Sequence, residues 1–209
     1  LERGGICKTY GGVVSLEGAG PVPMAVRTVR NQSGKQRIGR LAAELVKDGQ
    51  TIFLDSGSTV LALLPYLSGR KNITVITHSL AALYEASKYP NLAIIALSGT
   101  YSLPTNSYVG NSTLHALERI SVDTAFVAAT GVSLDQGLTN ATYFEAEIKR
   151  RVVHRAGDVV LLADRTKFGE VSAISFFDFD GLSAVVTDEV PPASYVKTME
   201  EKHIQLLCG

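Results

Sequence analysis

The chain has 209 residues, 45% of them hydrophobic and 19% charged, and its formal net charge at pH 7 is zero. This length and composition are ordinary for one α/β domain and exclude a disordered chain. The neutral balance also excludes the strongly basic surface with which a domain grips nucleic acid through many phosphates. No apolar run reaches the length of a membrane span and no signal peptide opens the sequence, so we expect a cytoplasmic protein.

The first 20 residues are rich in glycine and show no lasting period. They predict an extended linker or a short hairpin, and the folded domain is expected to occupy residues 21–209. From about Val26 to Val46, apolar residues recur every three or four positions with basic residues between them, which predicts one amphipathic helix. The two cysteines, Cys7 and Cys208, form no metal-ligand pattern with the histidines, so we expect no metal site.

The segment from Thr51 to Leu67 contains an apolar run, a small polar turn and apolar residues at helical spacing, which predicts strand, tight turn and helix. The turn after Asp55 is Ser56, Gly57, Ser58 and Thr59. Gly57 lets the backbone approach a ligand, a hydroxyl of Ser58 or Thr59 can cap the helix, and free amides at a helix start attract anions. The turn therefore predicts a phosphate or carboxylate site; the alternative is a capped turn without a ligand.

Two further apolar strands follow and also end in small polar residues. One ends before His78 and Ser79, and the other before Ser98, Gly99 and Thr100. Such strands alternating with helices predict a parallel sheet covered on both faces, where ligands bind beyond the carboxyl ends of the strands. The three polar turns, with Gly131 after the fourth strand, are therefore expected to converge on one crevice.

The second half of the chain continues the alternation. A fourth strand is expected over residues 123–129, a helix over about 142–156, a fifth strand over 158–163, a sixth over 183–187, a helix over 192–202 and a last strand over 204–207. Residues 101–110 are irregular and compatible with a hairpin. Asp55 and Asp164 follow strands, where a carboxylate can either accept hydrogen bonds from sugar hydroxyls or cap its own turn.

Local sequences together resemble the effector-binding domain of DeoR-type transcriptional regulators. They run in order from about residue 24 to the end: AELVKDG, TIFLDSGST, VITHS, LSGT, YVG, DTAFVAATG, FEAEIKR and ADRTKFG. The segment RGGICKTYGGVV resembles the wing and linker that follow the winged helix-turn-helix in that family, whose DNA-reading helices would precede this chain.

The resemblance implies a Rossmann-like, mostly parallel sheet with a small antiparallel insertion, similar to ribose-5-phosphate isomerase, glucosamine-6-phosphate deaminase and the CoA transferases. It also implies a phosphorylated sugar or related metabolite as effector, no cofactor, and assembly into dimers or tetramers. Effector binding would control operator DNA through the preceding domain, in a regulator that we expect to repress a sugar utilisation operon.

The resemblance also assigns residues to the effector. Lys167 in ADRTKFG would reach the phosphate, and Glu145 and Lys149 in FEAEIKR would border the ligand, with Glu147 a weaker candidate. Without the resemblance, the sequence predicts that Lys167 is a solvated loop lysine and that Glu145 and Lys149 form a surface pair on one helix face.

Two positions depart from the family pattern. His78 stands where many relatives have Asn; it is either a turn residue that caps a helix or a ligand contact that adds pH sensitivity. Tyr101, Ser102 and Leu103 follow Gly99 and Thr100 where many relatives carry an Arg, which argues against one effector common to the family.

The competing class is an enzyme of the same fold, a sugar-phosphate isomerase or deaminase. Such an enzyme needs a carboxylate as general base beside the first carbons of the sugar. The isomerases carry acidic residues after the fourth strand, whereas residues 129–133 here contain no carboxylate. The sequence therefore favours a pocket that binds without turnover and has no catalytic residues.

Overall fold

The computed structural model describes residues 6–9, 12–15 and 22–209. Within these ranges the strands, in chain order, are β1 (Ile6–Thr9), β2 (Gly12–Ser15), β3 (Thr51–Leu54), β4 (Ile73–Thr77), β5 (Leu92–Ala96), β6 (Thr100–Ser102), β7 (Ser107–Val109), β8 (Val122–Val127), β9 (Gly131–Ser133), β10 (Gly137–Asn140), β11 (Ala156–Leu162), β12 (Ile174–Phe177), β13 (Ala184–Thr187) and β14 (Gln205–Cys208). The α-helices of the same ranges are α1 (Met24–Val29), α2 (Gln32–Glu44), α3 (Ser58–Leu61), α4 (Leu80–Ala86), α5 (Asn111–Leu117), α6 (Tyr143–Val153) and α7 (Ala193–Glu201).

The strands β1 and β2 pair antiparallel, in agreement with the hairpin alternative for the first 20 residues. The rest of that predicted linker, and with it the predicted domain boundary at residue 20, lies outside the described residues. The domain division therefore stays a prediction.

The centre of the described fold is a seven-stranded sheet in the order β14-β13-β11-β8-β3-β4-β5. All of its neighbouring strands run parallel. The prediction of a parallel α/β sheet is confirmed, and the buried apolar runs of β3, β4, β8 and β11 explain it, because a parallel sheet is covered on both faces.

Each face of the sheet has its own hydrophobic core. On one face, α2, α3 and α4 pack on the strands through residues such as Ile38, Val60 and Ala82. On the other face, α5, α6 and α7 cover the sheet with residues such as Leu117 and Ile148. The helices cover the two faces of the sheet, and the carboxyl ends of its parallel strands lie together along one edge.

Two smaller antiparallel units confirm the predicted insertion. The strands β6 and β7 form a hairpin within residues 100–109, and β9, β10 and β12 form a three-stranded sheet. None of the helices in the described ranges has both the length and the apolar character that crossing a membrane would require.

Two predicted helices are wrong in extent. The helix expected from about Val26 to Val46 is two helices, because Asn31 adopts φ 48° between α1 and α2 and turns the chain. The helix after the Ser56–Thr59 turn ends at Leu61, and a 3₁₀ turn with Pro65 in its first turn continues from Leu64 to Leu67. Proline at that place lacks the amide that an α-helix would need.

Candidate functional site

A pocket of about 410 Å³ opens at the carboxyl ends of three neighbouring central strands, β3, β8 and β11. The turns after these strands contribute residues 57–59, 128–130 and 164–167 to its lining. The first residues of the domain, from Val22 through α1 into α2, close the opposite side. Its size lies within the roughly 300 to 1,000 Å³ of small-molecule sites.

One end of the pocket, which we call the cationic end, carries four basic side chains and one carboxylate: Arg27, Arg30, Lys35, Lys167 and Asp164. Arg27 and Arg30 come from α1, Lys35 from α2, and Lys167 from the turn after β11. The surplus of positive charge makes this end suited to an anion, for which guanidinium and ammonium groups are strong hydrogen-bond donors.

Two of these basic side chains, Arg27 and Lys35, have surroundings that favour a bound anion. Among the described residues, Nε of Arg27 is buried and has no hydrogen-bond acceptor. The Lys35 ammonium is buried, and its pKa is lowered to about 8. Burial is the largest cause, Asp164 opposes the shift, and Lys167, Arg27 and Arg30 add to it. Repulsion among the cations and an unused buried donor both favour a bound anion.

The turn after β3 places Ser58 and Thr59, both nearly buried, in the pocket wall. The helix cap here is Gly57, without a side-chain cap, so the expectation that Ser58 or Thr59 caps the helix is wrong. A Cβ at Gly57 would collide with the Cβ of Ala128. Glycine is needed because the turn lies directly against the end of β8.

Beneath the other end lies a buried polar network, which we call the inner network: Asp55, Ser56, Asn140, Glu145 and Lys149. Lys149 Nζ lies 3.1 Å from Asp55 Oδ2 and donates to the carbonyl of Ala128 and to Asn140 Oδ1. The Glu145 carboxylate accepts from Asn140, from Thr142 and, at 3.4 Å, from Ser56. Glu145 and Lys149 thus face the pocket from a network that holds their positions.

Asp55 is fully enclosed and does not line the pocket. Burial by itself would raise the pKa of its carboxyl, but the Lys149 ammonium, together with His78 and the amide of Ala128, outweighs burial and holds the pKa well below its usual range. Asp55 therefore stays a carboxylate, and its place under the pocket floor, 3.1 Å from Lys149 Nζ, makes it the partner that holds the Lys149 side chain in position.

His78 is also buried, one layer behind Asp55. Its Nδ1 lies 2.9 Å from the carbonyl oxygen of Tyr108, so Nδ1 must carry a proton, and its Nε2 faces Asp55 Oδ1 at 3.6 Å. That separation is longer than a hydrogen bond, and among the described residues neither Nε2 nor Oδ1 has another hydrogen-bond partner. The geometry gives His78 neither of its expected roles: it does not line the pocket, and it is Ser79, not His78, that caps α4.

In the turn after β11, Asp164 has the capping role, and its place in the pocket wall leaves a sugar contact open as a prediction. Its Oδ1 accepts from the amide of Thr166 at 3.0 Å and caps the turn, and the residue also lines the pocket. Lys167, half-buried, lies in the same turn. The structure thus brings together seven predicted residues in one lining: Gly57, Ser58, Thr59, Glu145, Lys149, Asp164 and Lys167.

Four other predicted residues do not line the pocket. Ser79 follows β4, and Gly99 and Thr100 follow the edge strand β5, one and two strands beyond β3. The middle strand of the pocket is β8, whose neighbours are β3 and β11, whereas β4 and β5 lie two and three strands away from it. Strands lie roughly 5 Å apart, so the ends of β4 and β5 fall outside the crevice. A Cβ at Gly99 would collide with Thr113, and one at Gly131 with the backbone of Glu170, which gives both glycines a packing role.

Several lining residues were not predicted: Arg27, Arg30, Asn31, Lys35, Thr130, Asn140 and Thr166. The basic ones were treated as the solvated face of an amphipathic helix. A signal was present, because Lys35 stands among basic residues that are spaced too closely for one helix face. Only the break at Asn31 turns this charge toward the strands. Within the described ranges no group of three His, Cys, Asp or Glu side chains could hold a metal.

The fold and the pocket together define an α/β domain with a basic pocket of small-molecule size at the carboxyl edge of its sheet. Sequence comparison supplies the family: the model described as DeoR C terminal sensor domain matches residues 30–189. The chain belongs to this family, as its resemblance predicted, and it is a sensor domain rather than an enzyme.

The relatives with curated names are regulators of transcription. The chain is 36% identical over 203 residues to the HTH-type transcriptional regulator IolR of Bacillus subtilis, covering 97% of this chain and 81% of that protein. It is 36% identical to the HTH-type transcriptional regulator GolR of Listeria innocua, covering 94% of this chain and 78% of that protein. It is 27% identical to the glycerol-3-phosphate regulon repressor of Escherichia coli, covering 99% of this chain and 82% of that protein.

Comparison with solved structures finds similar chains at low sequence identity. The delta subunit of eIF2B from Chaetomium thermophilum superposes with a TM-score of 0.53 at 13% identity, covering 77% of this chain and 57% of that one. Ribose 5-phosphate isomerase A of Methanocaldococcus jannaschii gives a TM-score of 0.49 at 24% identity, covering 66% and 55%. The chain thus spans a little over half the length of these structures.

Proposed function

We propose that the chain senses a phosphorylated sugar, or a closely related phosphorylated metabolite, for a transcription regulator of sugar utilisation. The observation that carries the proposal is the cationic end, where four basic side chains surround one carboxylate. A phosphate bound there would satisfy the buried Nε of Arg27 and relieve the repulsion that lowers the pKa of Lys35. The nearby hydroxyls of Ser58 and Thr59 add neutral donors.

The inner network suits the sugar part of such a ligand. Glu145 offers an acceptor, and the Asn140 amide, which gives one of its two N–H groups to Glu145, offers a donor. Lys149 holds Asn140 in place, with its three donors directed at Asp55, Ala128 and Asn140. Sugar hydroxyls both donate and accept, so an alternating set of this kind binds them without requiring a second net charge. The pocket is therefore suited to a molecule with a charged end and a hydroxylated end.

The proposal includes the partners that the family resemblance implies. Residues 1–20 would act as wing and linker between this domain and a helix-turn-helix that contacts operator DNA, and the regulator would work as a homodimer or homotetramer in the cytoplasm. The names of the relatives support this part, because IolR and GolR are described as HTH-type regulators and the Escherichia coli relative as a repressor.

The test is thermal unfolding against a panel of phosphorylated sugars, each paired with its unphosphorylated counterpart. A ligand at about 100 times its dissociation constant stabilises the folded state by roughly 2.7 kcal/mol, which shifts the midpoint by several degrees. We expect shifts only with phosphorylated members. Equal shifts from the free sugars would refute the phosphate assignment.

A matched variant locates the binding. Lys167→Met removes one charge from the cationic end, and it should weaken binding of the stabilising sugar phosphate by about 1.5 to 3 kcal/mol, the value of a hydrogen bond to a charged group. Lys197→Met removes a lysine from the exposed side of α7 and should leave the affinity unchanged. Equal affinities for both variants would place the ligand elsewhere.

A further inference from the structure

Lys35 joins the pocket to the end of α1. Its ammonium donates to the carbonyl oxygen of Arg30 at 2.7 Å and to that of Arg27, both at the carboxyl end of α1. The side chain is buried and lines the pocket. An ammonium has three donors, so after two bonds to α1 one donor is left for a molecule in the pocket.

The helix α1 is short and is held at few places. It has six residues, its apolar contacts are made by the buried Met24 and Val26, and its first amide donates to the carbonyl of Pro104. It carries two of the pocket's cations, Arg27 and Arg30, toward Lys35 and Lys167. Like charges at this density push α1 away from the pocket, and the bonds from Lys35 oppose that repulsion.

We infer that Lys35 couples the occupancy of the pocket to α1: an anion bound at the cationic end accepts the third donor of Lys35 and tightens α1 against the domain. The inference rests on the proposed function, because it requires that an anion bind there. The anion neutralises the repulsion among Arg27, Arg30, Lys35 and Lys167, and it favours the ammonium form of Lys35, whose bonds to the two carbonyls are then charge-assisted.

The consequence is a route from the pocket toward the beginning of the chain. The segment that contains β1 and β2 enters the domain through Val22, which lines the pocket, and Pro23, which precedes α1. When α1 is fixed, the position of the chain at Val22 and Pro23 is fixed as well. Ligand binding would thus be transmitted by an increase in the order of α1 rather than by a movement of the sheet.

Hydrogen exchange measured by mass spectrometry tests the coupling on the whole chain, with inorganic phosphate as the probe. At saturating phosphate we expect the amides of residues 24–30 to exchange at least about fivefold more slowly than in the free protein, because α1 opens less often. In Lys35→Met, compared with its own phosphate-free state, this protection should be lost even when phosphate is raised to saturation.

Lys167→Met is the matched control, since it removes the same charge from the same end of the pocket. Lys167 makes no hydrogen bond to α1 within the described residues, so this variant should bind phosphate more weakly yet keep the protection of residues 24–30 at saturation. Lys35→Arg, which restores charge and donors, should recover part of the protection. Full protection in Lys35→Met, or its loss in Lys167→Met as well, would overturn the inference.

Calorimetry of phosphate binding separates this inference from the proposed function. If phosphate binds the wild-type chain and residues 24–30 do not change their exchange, the coupling is wrong and the anion pocket stands. If neither phosphate nor any sugar phosphate binds, the proposed function is wrong and the coupling is refuted with it.

Discussion

The role of Asp55 follows from its depth below the floor of the pocket. It follows a strand that ends at the pocket, yet it lies below the floor, where its carboxylate bonds the amide of Ala128 and faces Lys149. A ligand would meet Lys149 rather than Asp55. The carboxylate therefore acts on the site by setting the charge and position of another side chain.

Replacing Asp55 by Asn should destabilise the folded chain by about 3 to 5 kcal/mol, because it leaves the Lys149 ammonium buried without its counter-ion. Denaturant unfolding at neutral pH measures the change. Asp135→Asn is the control, since Asp135 is exposed and its side chain makes no bond in the described residues. A loss below about 1 kcal/mol would show that the pair is open to water.

Lys35 should make anion binding depend on pH. In the free protein its pKa is lowered to about 8, and a bound anion raises it, so above pH 8 binding must be accompanied by uptake of a proton. We expect the affinity for sulfate, which does not titrate in this range, to be level below about pH 8 and to fall by up to about tenfold per pH unit above it.

Titration calorimetry between about pH 7 and 9.5 measures this dependence. The groups that face Lys35 are Arg27 and Arg30 from α1, Asp164 after β11 and Lys167 beyond it. In Lys35→Met the affinity should be lower and nearly level over the same range. An equally steep fall in that variant would assign the pH dependence to another group.

At the scale of elements, the junction of α1 and α2 decides the shape of the pocket. The left-handed backbone of Asn31 ends one helix and starts the next, and its side chain is anchored to Asp188 at 2.7 Å. The change of direction at Asn31 brings Arg27, Arg30 and Lys35 toward the ends of β3 and β11. A single straight helix would have carried them into solvent.

The packing of α2 on the turn after α3 depends on Gly39. A Cβ at that position would collide with the backbone of Ala62 and lie 2.9 Å from the amide of Leu63. Gly39→Ala should therefore cost about 1 to 3 kcal/mol of stability, even though Ala is the better helix former by about 1 kcal/mol.

The matched control for Gly39 is Gly69→Ala, because a Cβ at Gly69 meets nothing within 4 Å. That variant should stay within about 0.5 kcal/mol of the wild-type chain. Chemical denaturation of the two variants gives the comparison, and a stable Gly39→Ala would mean that α2 can shift on its neighbour.

At the scale of the whole molecule, the strand order explains why one crevice collects residues so far apart in the chain. The strands β3, β8 and β11 are neighbours in space although some 100 residues separate the first from the last. Their turns meet at the carboxyl edge, where α/β sheets bind ligands.

The chain should leave ribose 5-phosphate unchanged. The turn after β8 offers no carboxylate to the pocket. Glu145 is held by three polar side chains, and Asp164 caps its own turn at the cationic end, so neither is placed as a general base beside the first carbons of the sugar. We expect the proton spectrum of ribose 5-phosphate to be identical after a day with the chain at substoichiometric concentration. Formation of ribulose 5-phosphate would show that the chain is an isomerase.

The parallel sheet, its carboxyl edge and the turn at Ser56–Thr59 were predictable from the residues alone, because buried strands, small polar turns and glycines leave local patterns that do not depend on distant residues. Lys167, Glu145 and Lys149 were predicted through the family resemblance. Which turns share the crevice could not be predicted, because strand order is set by long-range packing. The same packing turned Lys35 inward, although one amphipathic helix was expected there, and it placed His78 and Asp55 behind the pocket wall.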